Sequence, residues 1–297
     1  MDSRILDKYT LLQILSVQRE EITVVEIYRH IASTIDDPYN RDVLREIASE
    51  EQEHYKFWKE YTATEIFPDR FRVFVSSLLL IALGFTFTLK FLASRHARDI
   101  NPEVLAAIPD AETILRKDEA HKDQIKALAD TLDEERLHYI SSIVLGLNDA
   151  IVEFTGMLAG LTFALPDSRL ITITGLVAGI SASLSMAATE YLSQRSEEGH
   201  DKRLKPWKAA IYTGLTYIMT VTLLLLPFII LKSPYIALPF TLVTALIVIF
   251  GFTFYLSVAK SLNFRKRFAE MAIISMGIAF LSFLLGITVR LVLHVTV

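Results

Sequence analysis

Residues 141–165 read SSIVLGLNDAIVEFTGMLAGLTFAL. A helix of about 20 apolar residues crosses the hydrocarbon core of a bilayer, so this stretch predicts a membrane span. It nevertheless carries Asn148, Asp149 and Glu153 well inside its apolar run. Asp149 and Glu153 are four residues apart and share one helix face. A single acid at mid-helix costs about 2.5–3.5 kcal/mol on insertion scales, so two on one face point to a use. Working outward, the first span is placed at roughly 140–165. Four further stretches of span length follow at roughly 170–192, 208–231, 234–259 and 268–293. The second reads LITITGLVAGISASLSMAATEYL and sets Met186 and Glu190 four apart. Both spans carry small pairs at i, i+4, Gly156/Gly160 and Gly175/Gly179, which allow helices to approach closely.

The rest of the chain has a different composition. Over all 297 residues, hydrophobic types make up 52% and charged types 22%. Residues 1–139 hold 18 Lys/Arg against 26 Asp/Glu, while residues 140–297 hold 12 against 8. An acidic, water-facing half is thus followed by an apolar half. This excludes a single soluble globule, a secreted disulfide scaffold and a disordered chain. With no cysteine, any metal must be held by oxygen, imidazole or thioether. The start MDSRILDKYT has no apolar core and is not expected to be a signal peptide. No basic, aromatic-interleaved stretch predicts a nucleic-acid partner.

Positive charge sets the expected orientation. The linker 193–208 carries Arg195, Lys202, Arg203, Lys205 and Lys208, and the linker 260–267 carries Lys260, Arg265, Lys266 and Arg267. The other two loops hold only Arg169 and Lys232. Positive loops stay inside, so the N-terminal half is expected in the cytoplasm and the C-terminus outside. Carboxylates, an amide and a thioether along the first two spans suit a divalent ion such as Fe2+ or Mn2+, although oxygen ligands would also take Mg2+. For Met186 and Glu190, ordinary packing and an interfacial position are the competing readings.

GLNDAIVEFTGMLAGL and SMAATEYLSQRSE resemble the vacuolar iron transporter family, five-span carriers of Fe2+ and Mn2+. KPWKAAIYTGLTYIMTVTLLLLPFII resembles that family's third span, which extends the resemblance over about 140–297. It implies that Asp149 and Met186 line a translocation path, with Glu153 and Glu190 on the same motifs. It also implies pairing of two chains through their spans. Plant members carry a long Glu-rich helical insert after the second span. Here that linker is short and offers only Glu197, Glu198 and His200, with Glu270 at the start of span five as a further vestibule candidate.

The acidic half reads as helices over about 3–35, 38–66, 70–98 and 110–138, the last running on into span one. Short links predict a four-helix bundle. Glu51 and His54 form a Glu-x-x-His pair, and Asp118 and His121 repeat the spacing with Asp first. Helix one offers Glu20, Glu21 and Glu26. Di-iron bundles set Glu on two helices and Glu-x-x-His on the other two. Residues 73–89, VFVSSLLLIALGFTFTL, are 17 uncharged residues. They are expected to form a buried bundle helix rather than a marginal extra span. The run Asp133-Glu134-Glu135 reads as a solvated face, with cation attraction before span one as the other reading.

This half resembles the rubrerythrin branch of the ferritin-like family. On that resemblance Glu21, seven residues before Tyr28, is the helix-one ligand, Glu51 and His54 the helix-two pair, and Asp118 and His121 the helix-four pair. The family's helix-three acidic pair aligns with Ala93 and His96; Ala93 cannot bind metal and His96 substitutes. The expected cofactor is a di-iron site holding Fe2+, with Mn2+ as the second candidate.

Together the two halves resemble membrane-bound ferritin: an all-α chain with a ferritin-like bundle at 1–138 and a five-helix transmembrane domain at 139–297. The implied activity is export of Fe2+ or Mn2+ across a prokaryotic plasma membrane, with proton counter-transport, by a homodimer bathed in lipid. The rival expectation is a membrane-anchored di-iron oxidase, and the third is a helical membrane protein without metal.

Overall fold

The computed structural model describes residues 8–95, 108–132, 134–165, 167–196 and 204–292. All described secondary structure is helical, and the chain divides into two compact units, 1–134 and 135–297.

In the first unit α1 (Lys8–Thr34) packs along α2 (Pro38–Thr62). Pro38 sits in the first turn of α2, where a missing N–H costs nothing, and the Asp37 carboxylate accepts from the Asn40 N–H at 2.8 Å. The helix stops at Ala63, which turns left-handed (φ 48°) and returns its N–H to the Lys59 carbonyl. It therefore ends four residues earlier than expected. Asp69 caps α3 (Arg70–Leu83), accepting from the N–H groups of Phe71 and Arg72. α4 (Phe85–Arg95) and α5 (Ala111–Thr131) pack on each other. One apolar core draws Ile27 and Ile31 from α1, Leu44 from α2, Leu89 from α4, and Ile125 and Leu128 from α5.

The expected single helix over 70–98 is two helices. Gly84 adopts φ 88° and ψ 178°, outside the range of other residues, and ends α3. The carboxylate of Glu134 then accepts from the N–H groups of Phe85 and Thr86, the first orphan donors of α4. A Cβ at Gly84 would lie 2.6 Å from Glu134 Oε1, so the glycine also makes room for this cap. Glu134 is half-buried and capping, not part of a solvated face. Replacing Glu134 with Ala is expected to destabilise the first unit by about 1–2 kcal/mol. Faster amide exchange at Phe85 and Thr86 would report it; unchanged exchange would contradict the cap.

The stretch 73–89 is correspondingly divided. Thr86, Phe87, Thr88 and Leu89 are buried, whereas α3 buries Ser76 and Leu80 but leaves Phe74, Leu78 and Ile81 exposed, so the second part is the more fully buried helix. It is not among the candidate membrane spans. The helix expected at 110–138 also breaks. α5 ends at Thr131, Leu132 is extended (ψ 121°), and a four-residue helix, α6 (Glu135–His138), precedes Tyr139.

The second unit consists chiefly of α7 (Ile140–Ala164), α8 (Ser168–Ser196), α9 (Pro206–Ile230), α10 (Pro234–Ala259) and α11 (Phe264–Val292). All five are long and apolar enough to cross a membrane. Half of the span window is buried in α7 and in α9, against 22% in α8 and 17% in α11, so α7 and α9 form the centre. Close approach is built from glycine: a Cβ at Gly146 would stand 2.3 Å from the Thr213 carbonyl of α9. The small pairs seen in the sequence serve this packing, and Gly179 also comes close to Phe154 of α7. Gly156 faces Ser282 and Gly160 meets Gly286 on α11, while Gly175 and Gly179 face Leu225 and Val221 on α9.

Candidate metal centre and span carboxylates

In the first unit the i, i+3 spacing of α2 puts Glu51 and His54 on its inward face, and the same spacing on α5 brings Asp118 and His121 opposite. All four are buried, with one donor atom of each within 4.8 Å of the others. The pairs cross between helices. His54 Nδ1 lies 2.7 Å from Asp118 Oδ1 and 3.3 Å from Glu51 Oε2. His121 Nδ1 lies 2.9 Å from Glu51 Oε1. Glu51 thus reaches both imidazoles, whose rings stack at 5.5 Å. Glu21 is fully buried on α1, accepts from Trp58 Nε1 at 3.2 Å and hydrogen-bonds with Glu51. Of the other helix-one acids, Glu20 pairs with Arg72 and Glu26 is exposed.

Electrostatics follow from this geometry. Burial opposes the charged forms throughout. For Glu51, hydrogen bonds from His121 and His54 outweigh that penalty and hold its carboxyl well below the usual range. For His54, burial is overcome by Asp118 and Glu51, and the ring is raised to about 10. His121 is raised as well, by Glu51 and Glu50 against burial. His54 therefore stabilises the metal-free fold fully below its ordinary value of 6.5, and that contribution fades as pH rises through about 10.

A carboxylate and imidazole set of this kind could hold a metal ion such as Fe2+ or Mn2+. Binding at Nδ1 of His54 must displace a proton, which weakens apparent affinity about ten-fold per pH unit for each proton released. Lowering the pH from 8 to 6 is thus expected to weaken Co2+ binding by about 100-fold or more. Titration of the Co2+ absorption bands measures this; a flat profile would mean that the histidines do not bind.

Sequence reasoning missed Glu50, whose carboxylate lies 2.5 Å from His121 Nε2. Its only signal is its place beside Glu51. Ala93 is buried in the apolar core and supplies no ligand. His96 lies outside the described residues, as do Glu197, Glu198 and His200.

In the second unit Asp149 is half-buried and Glu153 is exposed on the same face of α7. The hydroxyl of Tyr217, a fully buried residue of α9, donates to Glu153. This third-span partner was not anticipated. The Oδ1 atom of Asn148 is buried with no hydrogen-bond partner among the described residues. Met186 is half-buried and packs against the core of the unit. Glu190 is only 6% exposed, and its Oε1 accepts from Ser142 of α7 at 2.7 Å and from Gln194 at 3.1 Å. Glu270 is exposed, 3.6 Å from Arg267, and no described contact brings it to the other acids.

Five apolar helices of span length, two of them carrying internal carboxylates, support a multi-pass membrane protein. Residues 140–205, the first two spans and the linker after them, match the sequence model of the VIT family. With the five helices, the match supports a membrane metal transporter. It is shorter than the resemblance read over 140–297. No curated protein matches the chain.

Proposed function

We propose that the protein exports divalent metal from the cytoplasm, with Fe2+ as principal substrate and Mn2+ as the second. The observation that carries this reading is the set of acids within the VIT-matching segment. Asp149 and Glu153 lie at mid-span, and Glu190 is buried between the first two helices. Acids so placed are too costly for a plain anchor. Glu190 receives the ion, and Met186, Asp149 and Glu153 pass it outward. Carboxylates that release protons to bind metal and regain them afterwards would couple export to proton entry. An exposed Glu153 cannot rest against acyl chains, which favours a homodimer covering that face. Basic linkers place the N-terminal unit in the cytoplasm of a prokaryotic plasma membrane, with the C-terminus outside.

The first unit serves as a ferritin-like bundle that captures the metal. Glu51, His54, Asp118 and His121 hold it, with Glu21 completing the set beside Glu51. Bound there, iron could also undergo one-electron oxidation. The two buried histidines give some support to the rival function, oxidation of Fe2+ by O2 in a membrane-anchored enzyme. Reconstitution of the full chain in vesicles, with Fe2+ or Mn2+ uptake and O2 consumption followed together, separates the two. Metal flux without oxygen use supports export. Oxygen use without flux overturns it.

A further inference from the structure

The four donors of the first unit are nearly sealed: Glu51, His54, Asp118 and His121 are between 3% and 6% exposed. An ion needs a way in. A cleft of about 430 Å³ opens between α2 and α5, and its walls include His54 and His121 together with Glu50, Glu53 and Lys117. Glu50 stands between the two environments. Its side chain is 51% exposed, yet its Oε2 lies 2.5 Å from Nε2 of buried His121. The other nitrogen of that ring faces Glu51 and the cluster.

We propose that metal reaches the cluster through this cleft, and that Glu50 is the carboxylate that takes the ion from water and orients His121. The inference rests on the reading of the cluster as a metal site. Two physical arguments carry it. A half-exposed carboxylate on the wall of a cleft can trade water for an aquated cation without the full desolvation penalty of a buried acid. A carboxylate on the outer nitrogen of a histidine also fixes the proton there and leaves the inner nitrogen free as a ligand. Glu53 lies on the same cleft, but its carboxylate pairs with Lys56 at 2.7 Å and has no described contact with either histidine. The ammonium group of Lys117 is on an exposed residue and can remain in solvent.

The test uses the full chain in detergent, with Co2+ as probe, and measures both the loading rate and the Co2+ absorption spectrum. Glu50→Gln keeps an acceptor for His121 Nε2 but removes the charge. It is expected to slow loading at least ten-fold with the wild-type spectrum retained. Glu50→Ala removes both functions and is expected to slow loading and alter the spectrum. Glu53→Gln is expected to stay within about two-fold of wild type. Loading of Glu50→Gln at the wild-type rate overturns the access role, and an unaltered spectrum in Glu50→Ala overturns the orienting role. If the wild-type chain shows no Co2+ spectrum that Glu51→Gln abolishes, the metal-site reading itself fails, a result distinct from the other two.

Discussion

Asp149→Ala is expected to abolish metal movement into vesicles, lowering flux by about 100-fold or more, the equivalent of roughly 3 kcal/mol at the rate-limiting step. The sign of the accompanying stability change makes the experiment decisive. A carboxylate at mid-span opposes insertion by about 2.5–3.5 kcal/mol, so alanine makes α7 easier to place in the bilayer. The variant is therefore expected to express at least as well as the parent and to carry less metal. A folding defect cannot imitate that combination. Asp149→Asn keeps the shape and removes the charge; it is expected to fail nearly as completely, because an amide cannot exchange a proton for an ion. Tyr217→Phe loses one hydrogen bond to Glu153, worth about 1.5–3 kcal/mol where the acceptor is charged, and is expected to retain partial flux. Flux of Asp149→Ala equal to the parent would remove the path from this face of α7. The test is independent of the first unit, since it reads only passage across the membrane.

What the sequence makes visible depends on how local the underlying physics is. The five spans are legible because hydropathy over some 20 residues is a sum along one helix. The pairs Glu51/His54 and Asp118/His121 are legible because i, i+3 spacing is a property of a single helix. Features that depend on a distant neighbour were not. Gly84 lies in an apolar run where one glycine costs only about 1 kcal/mol, so nothing local announces a break. The break exists because Glu134, fifty residues later, takes the N–H groups it frees. Likewise the Tyr217 hydroxyl finds Glu153 across sixty-four residues, and Glu50 finds His121 across seventy-one. Glycine pairs were legible as close-approach sites but not as to their partners, which are chiefly spans three and five, with Phe154 of span one also against Gly179. Glu20, Glu21 and Glu26 are equivalent in composition; packing against Trp58 selects Glu21 as the acid beside Glu51.

That selection bears on the second large effect, which is expected at Glu51. Both of its oxygens are engaged, one with each histidine, and it is 4% exposed. Glu51→Ala leaves two stacked imidazoles, 5.5 Å apart, without the anion that lies against both. Removing one member of a buried charged set costs about 3–5 kcal/mol, because the remaining charges lose their compensation. At neutral pH the metal-free first unit is therefore expected to lose much of its stability. His54 retains Asp118 and His121 retains Glu50, so partial relief comes from ring deprotonation, and the loss is expected to shrink as pH rises towards 10. Metal affinity is expected to fall about 100-fold or more in the same variant, since the donor shared between the helices is gone. Glu51→Gln separates the two consequences. Its amide fills the same space and still accepts from one ring, so the stability loss is expected to be smaller, yet it supplies no charge to a cation and binding is expected to remain weak. Thermal unfolding of the full chain with and without Co2+ reads both. Wild type is expected to gain stability with ion concentration as mass action requires, and Glu51→Gln is not. An ion-dependent gain of wild-type size in Glu51→Gln would mean that the metal is held elsewhere in the molecule, and that the buried carboxylates and histidines of α2 and α5 serve only each other.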